Sequence, residues 1–324
     1  MNNITEKYNF CTIFDSVYFA KGLALYYSLS RVCYFHLYIF TPDKQCITFF
    51  EREKLPNITV IDFTEVEKSE LLEVKSKRNT AEYYWTIKSS CLEYLFNKFN
   101  LGLLTYVDTD TFFYSTPKPF FEELGNNSVL ITPHNFSPKY GKEIKKGIYN
   151  AGFISFRNNE FGKKALDWWK DKCIEWCYIK KEDEKFGDQM YLNTLSKFDG
   201  VHTLKHRGAL ANWNVQQYKF LKANDSVIGI TNTNEKFEVI FYHFHYLKFL
   251  KSGEVELGRK YLSKEVIDLF YKPYINFLLE LAPFELQGLR SKSFSWKTPI
   301  LFLKRKIEKT YNIIPVSDLR DISN

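Results

Sequence analysis

The sequence predicts an α/β fold, a mostly parallel sheet with helices on its two faces. Three observations predict it. Short apolar runs rich in β-branched and aromatic residues alternate with amphipathic helical stretches from residue 8 onward, the order that lays strands side by side with helices over them. Two of those runs end in carboxylates, Asp15 and the pair Asp108 and Asp110, at the strand ends where such sheets gather ligands. The chain of 324 residues, 45% of them hydrophobic, is long enough to bury a substantial core.

In order, residues 8–15 read as a buried strand ending in Asp15. Ser16 can cap a helix to about Arg31, with Leu23, Tyr26, Tyr27 and Leu29 on its apolar side. Strands follow at 35–40 and 58–63, separated by a helix that Pro42 and Asp43 open. Thr80 is the expected cap of a long helix to about Phe99, with Ala81, Tyr84, Trp85, Cys91, Leu92 and Leu95 at spacings of three and four. Lys88 interrupts that apolar face. Strands are expected at 103–110, 128–132 and 149–156, and a helix at 160–177. A shorter helix is expected from Phe186, a strand over 237–245, a linker over 253–258 and a last long helix over 263–281. The domain expectation is one catalytic domain over 1–252 and a C-terminal helical extension over 253–324.

Composition narrows the partners. A formal charge of +7 and a pI near 8.8 suit an anionic ligand or an acidic membrane surface, while lysines and glutamates alternate too evenly for a nucleic-acid binder. Six cysteines show no zinc-type pairing; Cys173 and Cys177 fall on a stripe with Phe161, Ala165 and Trp169 and read as core thiols. No basic-then-apolar leader opens the sequence and no run approaches the ~18 apolar residues of a bilayer span, so the expected location is the cytoplasm.

The chemistry concentrates in a few places. Asp108 and Asp110 are spaced i, i+2, which on a strand puts both carboxylates on one face, and hard oxygen ligands of that kind suit Mg²⁺ or Mn²⁺. A turn in which both aspartates cap local N–H groups would explain them equally. Lys88 needs an anion nearby or a lowered pKa, whether that anion is one of these aspartates or a bound phosphate. His243 and His245, with Lys248 close by, fit an anion or metal site.

Four motifs in this order resemble those of GT-A glycosyltransferases, closest in pattern to the retaining family 8 type. They are Asp15-Ser16-Val17-Tyr18 with Ser28-Leu29; Val107-Asp108-Thr109-Asp110; Tyr149-Asn150-Ala151-Gly152 followed by Gly187-Asp188-Gln189; and His243 through Lys248. The resemblance implies a Rossmann-like sheet, a nucleotide-diphosphate sugar donor (a UDP-sugar favoured) and a glycan or lipid-linked acceptor in bacterial surface-polysaccharide assembly. By the same resemblance Thr12, Ile13, Asp15, Tyr18, Lys88, Asp108 and Lys248 would bind the donor. Asp108 and Asp110 with His243 (or His245) would hold Mn²⁺ or Mg²⁺, and Asp188, Gln189 and Asn150 would flank the donor sugar. The chain departs from the pattern at Val17, where the family has Asn, at Trp85, where it has Arg, and at Tyr246, where counting from His243 calls for Gly.

Two other readings stay open. Val107 through Thr111 also fits the opening of haloacid-dehalogenase-like phosphatases, with Asp108 as nucleophile. About 100 residues precede it, though, and the second acid of the later GDxxxD motif is absent. A non-catalytic nucleotide-sugar-binding protein is the other. The tail, with Trp296, the apolar run 300–303 and Lys304, Arg305, Lys306 and Lys309, either lies on an anionic bilayer or packs as a terminal helix.

Overall fold

The computed structural model describes residues 6–223, 226–281, 288 and 298–319. In chain order the elements are β1 (Tyr8–Ile13), α1 (Phe19–Val32), β2 (Phe35–Thr41), α2 (Lys44–Glu53), β3 (Ile58–Asp62), α3 (Ser69–Lys75), α4 (Thr80–Lys98), β4 (Leu103–Val107) and β5 (Thr111–Phe113). Then come α5 (Lys118–Leu124), β6 (Val129–Pro133), β7 (Tyr149–Arg157), α6 (Glu160–Glu175), α7 (Leu192–Leu195), β8 (Val201–Thr203) and β9 (Ala209–Ala211). The rest is β10 (Lys219–Ala223), β11 (Ser226–Ile230), β12 (Lys236–Glu238), β13 (Phe241–His243), β14 (Lys248–Phe249), β15 (Glu254–Glu256), α8 (Lys264–Val266), α9 (Lys272–Leu281), α10 (Thr298–Ile307) and β16 (Ile313–Pro315).

These elements form two compact units, neither continuous in sequence: residues 1–15, 33–108 and 117–206 make the first, and 16–32, 109–116 and 207–324 the second. The boundary expected at 252 falls inside the second.

The first unit carries a seven-stranded sheet in the order β3-β2-β1-β4-β7-β6-β8. Only β7 runs against its neighbours; the other pairings are parallel, as the strand–helix alternation predicts. Ile87, Leu92 and Leu95 of α4 and Leu166 and Trp169 of α6 bury themselves with Leu104, Ile131 and Phe156 of the sheet. Each such side chain contributes roughly 1.5–3 kcal/mol by leaving water. Asn79, not Thr80, caps α4: its side chain accepts from Glu82 N–H while Glu82 reaches back to Asn79 N–H. All six cysteines are buried and free, as core thiols should be; α6 ends at Glu175, so Cys177 lies just beyond it, and Phe161 at its start faces solvent.

The helix expected from Phe186 starts later. Gly187 adopts a φ of +54°, which breaks helical geometry, so 187–191 is a turn and α7 begins at Leu192.

The second unit has three small sheets, β10-β11-β12, β5-β13-β9 and β14-β15-β16. Its aromatic core gathers Phe112, Tyr242, Phe244, Phe270, Tyr271 and Tyr274, with Phe244 stacked on Tyr274 at 3.8 Å between ring centroids. The single strand expected over 237–245 is two: Val239 N–H bonds Val227 O, Ile240 N–H bonds Gly208 O, and the chain changes sheets between them. The expected linker over 253–258 holds β15, paired on both sides, with positive-φ glycines at 253 and 258. The helix expected over 263–281 passes through a π-helical turn at 267–271.

Candidate active site

Most of the predicted residues fall into two clusters, one in each unit.

In the first unit, Lys88 enters from α4 with its side chain only 3% exposed. Its Nζ lies 2.7 Å from Asp188 Oδ2 and 3.7 Å from Asp108 Oδ1, donates to Ala151 O at 3.1 Å, and sits 4.3 Å above the Tyr106 ring. Burial disfavours the ammonium, but the carboxylates of Asp188 and Asp108 outweigh it and raise its pKa above the ordinary lysine value. Burial pushes the Asp188 carboxyl up, Lys88 offsetting this in part and Asp108 adding to it. The sequence allowed Lys88 a bound phosphate or one of the DxD aspartates as its anion. The structure gives it Asp188 first, an internal partner the sequence did not single out.

Close packing holds the same cluster from the backbone side. Asp108 N–H donates to Gly152 O, and Gly152 N–H donates to Asn150 Oδ1, each at 2.8 Å. A Cβ on Gly152 would stand 2.5 Å from both Asn150 Oδ1 and Asp108 Oδ2, so a larger residue there would displace both side chains. Asn150 thus turns its carbonyl to its own chain, and its Nδ2 lies 3.5 Å from His134 Nε2. Gln189, half-buried beside Asp188, donates to Lys146 O at 2.9 Å. Thr12 and Ile13 are buried on β1, and Asp15 just past it accepts from Tyr84 OH at 3.0 Å.

The strand expected to carry both aspartates ends at Val107 and residues 109–110 form a turn before β5, so strand alternation does not set the two carboxylates on one face. In the second unit, Asp110 is the centre. Its Oδ1 lies 3.0 Å from His243 Nε2 and its Oδ2 3.8 Å from Lys21 Nζ, with all three side chains buried. Burial would raise the Asp110 pKa, yet His243, then Lys21 and His245, hold it well below the usual carboxylate range. Phe244 N–H donates to Asp110 O, fixing the strand end against the following turn. Lys21 also donates to Leu247 O at 2.9 Å and lies 4.4 Å over the Tyr18 ring. His243 ends β13, whereas His245 sits in the turn beyond it, half-buried, so the two do not share one strand. The Trp213 ring meets both imidazoles edge-on, at 5.4 and 5.6 Å. Tyr246, where the resemblance calls for Gly, keeps the glycine-like backbone at φ +69°, with Lys248 and Arg259 both within cation–π reach of its ring.

Lys21 and Trp213 were not singled out from the sequence. Lys21 looks like any helical lysine, and Trp213 sits in a stretch without periodicity. The only available hint at Lys21 is its place beside small residues, Ala20 and Gly22, on an otherwise apolar helix.

Asp110 supplies an oxygen donor of the kind Mg²⁺ and Mn²⁺ accept, and His243 an imidazole nitrogen, which suits a transition metal such as Mn²⁺ better than Mg²⁺. Among the described residues no three His, Cys, Asp or Glu side chains come together as a ready metal site. The donor chemistry fits a divalent ion through this pair, with Asp108 two residues away along the chain.

No protein-family profile matches the chain. It is 31% identical over 279 residues to the uncharacterized protein YfnD of Bacillus subtilis (strain 168), covering 83% of this chain and 88% of that one. It is 30% identical over 258 residues to YfnF of the same strain, covering 76% and 84%. Among solved structures it is similar to the galactosyltransferase LgtC in complex with donor and acceptor sugar analogs, with a TM-score of 0.55 and 15% identity over 86% of this chain and 99% of that one. It is also similar to the bifunctional glycosyltransferase WbbM, with a TM-score of 0.51 and 14% identity over 88% of this chain and 51% of that one. The parallel sheet, with β7 as its one reversed strand, is thus the GT-A glycosyltransferase fold, and the chain belongs to the family of YfnD and YfnF.

Proposed function

We propose that the protein is a metal-dependent glycosyltransferase of the retaining, family 8 type, moving a sugar from a nucleotide-diphosphate donor, preferably a UDP-sugar, to a glycan or lipid-linked acceptor in surface-polysaccharide assembly. One observation carries the reading: Asp110, from a strand-end DxD on a GT-A fold, meets His243 at 3.0 Å across 133 positions of sequence. A buried carboxylate from the second motif and a buried imidazole from the fourth make two of the three expected ligands.

Asp108, Asp110 and His243 are the residues that would hold Mn²⁺ or Mg²⁺, with His245 the alternative imidazole. The ion would supply positive charge against the diphosphate as it leaves. Thr12, Ile13, Asp15 and Tyr18 would receive the nucleoside and Lys248 a phosphate. Asn150 and Gln189 would orient sugar hydroxyls, and Asp188, enclosed with Lys88, would keep a carboxylate behind the reacting sugar. Lys88 then acts by holding Asp188 and Asp108 in place rather than by touching phosphate.

The phosphatase alternative would need Asp108 as a free nucleophile, but Asp108 lies on the Lys88 cluster of a glycosyltransferase fold. A thermal-shift series with nucleotide sugars, with and without Mn²⁺, tests the proposal. At least one UDP-sugar should raise the melting temperature only with the ion present. No shift with any nucleotide sugar, or one indifferent to Mn²⁺ and EDTA, overturns it.

A further inference from the structure

Among its described side chains, α10 turns a charge inward: Arg305 Nη2 lies 3.1 Å from Oε1 of the buried Glu256 and 3.2 Å from Thr310 O. The chain after α10 is pinned to the same place. Asn312 donates to Gly258 O and Lys260 O at 3.3 and 2.6 Å, and β16 pairs with β15. Arg305 therefore fixes which side of the helix faces the second unit's own sheet.

Leu303 and Ile307, four apart and one turn on the same side, fall away from Arg305. They are 61% and 74% exposed, the two most exposed large hydrophobic side chains among the described residues. Lys304 and Lys306 flank them around the helix, Lys309 follows, and all three are exposed. Over 303–309, with Arg305 paired to Glu256, three exposed lysines share one acid, Glu308, which lies 3.9 Å from Lys304. Trp296 and the side chains of 298–302 lie outside the described residues.

An apolar strip costs free energy in water, and a protein partner would have to match a ring of lysines around it. A surface that is apolar inside and anionic at its rim matches both features together. From this we infer that α10 is an interfacial helix. It docks on an anionic bilayer, with Leu303 and Ile307 entering the acyl boundary and Lys304, Lys306 and Lys309 meeting the lipid phosphates. The inference is independent of the transferase reading, because it concerns binding to lipid and not turnover.

Co-sedimentation of the full chain with phosphatidylglycerol–phosphatidylcholine vesicles, and with phosphatidylcholine alone, tests it. The wild type should pellet with the anionic vesicles and release as salt rises. Leu303→Glu with Ile307→Glu, and separately Lys304→Glu with Lys306→Glu, should each weaken pelleting at least about tenfold, by loss of the apolar and the charge contribution respectively. Both variants should keep the wild-type melting temperature, since every altered side chain is exposed. Failure of the wild type to pellet, or equal pelleting of wild type and variants, overturns the inference. So does a wild-type dimer that the Leu303→Glu, Ile307→Glu variant dissociates, which would assign the strip to a second copy of the chain.

Discussion

The two charged clusters invite comparison because each buries a lysine against an aspartate and they solve the problem differently. Around Lys88 a single ammonium faces two carboxylates, a backbone carbonyl and an aromatic face, all at close range, and the glycine beside it leaves no slack. Around Asp110 a single carboxylate faces an imidazole at 3.0 Å and a lysine at 3.8 Å, and that lysine has its own carbonyl partner at 2.9 Å. The first cluster is closed on itself and loses much if one member goes. The second has a nearest partner, His243, which is the imidazole of the proposed ligand set, and a more distant cation, Lys21. The tight arrangement fixes Asp188 and Asp108 in place, while the looser one leaves Asp110 with one close partner and one distant one.

The sharpest way to break this contrast is through activity. Asp110→Asn keeps the shape of the side chain and its neighbours while removing the charge, and sugar transfer should fall by about a thousandfold or more, as expected when an electrostatic contact to a leaving group is lost. The melting temperature should move far less. Wild-type turnover in the variant under EDTA would show that the cluster is structural after all.

Lys88→Met should act the other way round. It leaves the Asp188 and Asp108 carboxylates without their cation, and breaking a buried pair from one side costs about 3–5 kcal/mol. Urea unfolding of this variant should show that loss, and adding Asp188→Asn should recover part of it. A variant as stable as the wild type would remove the distinction between the clusters.

The smallest effect is in pH. The Lys88 pKa is raised above its ordinary value of 10.5 by Asp188 and Asp108, which outweigh burial. A cation raised in the folded state lends stability that is complete below its unfolded pKa and is lost as pH climbs through the folded one. Wild type should therefore lose stability above pH ~10.5 more steeply than Lys88→Met, whose curve lacks that contribution. Parallel curves would mean that the pair is weaker than its geometry implies.

The sheet was legible because its strands are short apolar runs bounded by turn residues, and their alternation with helices admits few arrangements. What escaped the sequence was of two kinds. Gly187 and the strand switch at Val239 and Ile240 redirect the chain through backbone geometry, which side-chain periodicity does not record. Lys21 and Trp213 join the site through tertiary contacts 89 and 30 positions away, to Asp110 and His243, and no local pattern marks them. Lys88 was the middle case: its misfit on an apolar face announced a buried partner, while the identity of that partner, Asp188, lay 100 positions on.

The division of the chain has a consequence for anyone wishing to take this protein apart. It passes from one unit to the other at 15/16, 32/33, 108/109, 116/117 and 206/207, and the third passage falls inside the DxD itself. No single cut yields either unit as one continuous polypeptide, so neither can be obtained by truncation. A gene fragment ending at any of those points carries an unfinished sheet or an unfinished aromatic core. A fragment ending at the third passage carries Asp108 without Asp110, and one ending at the last carries both aspartates but lacks β13 and with it His243, the nearest partner of Asp110.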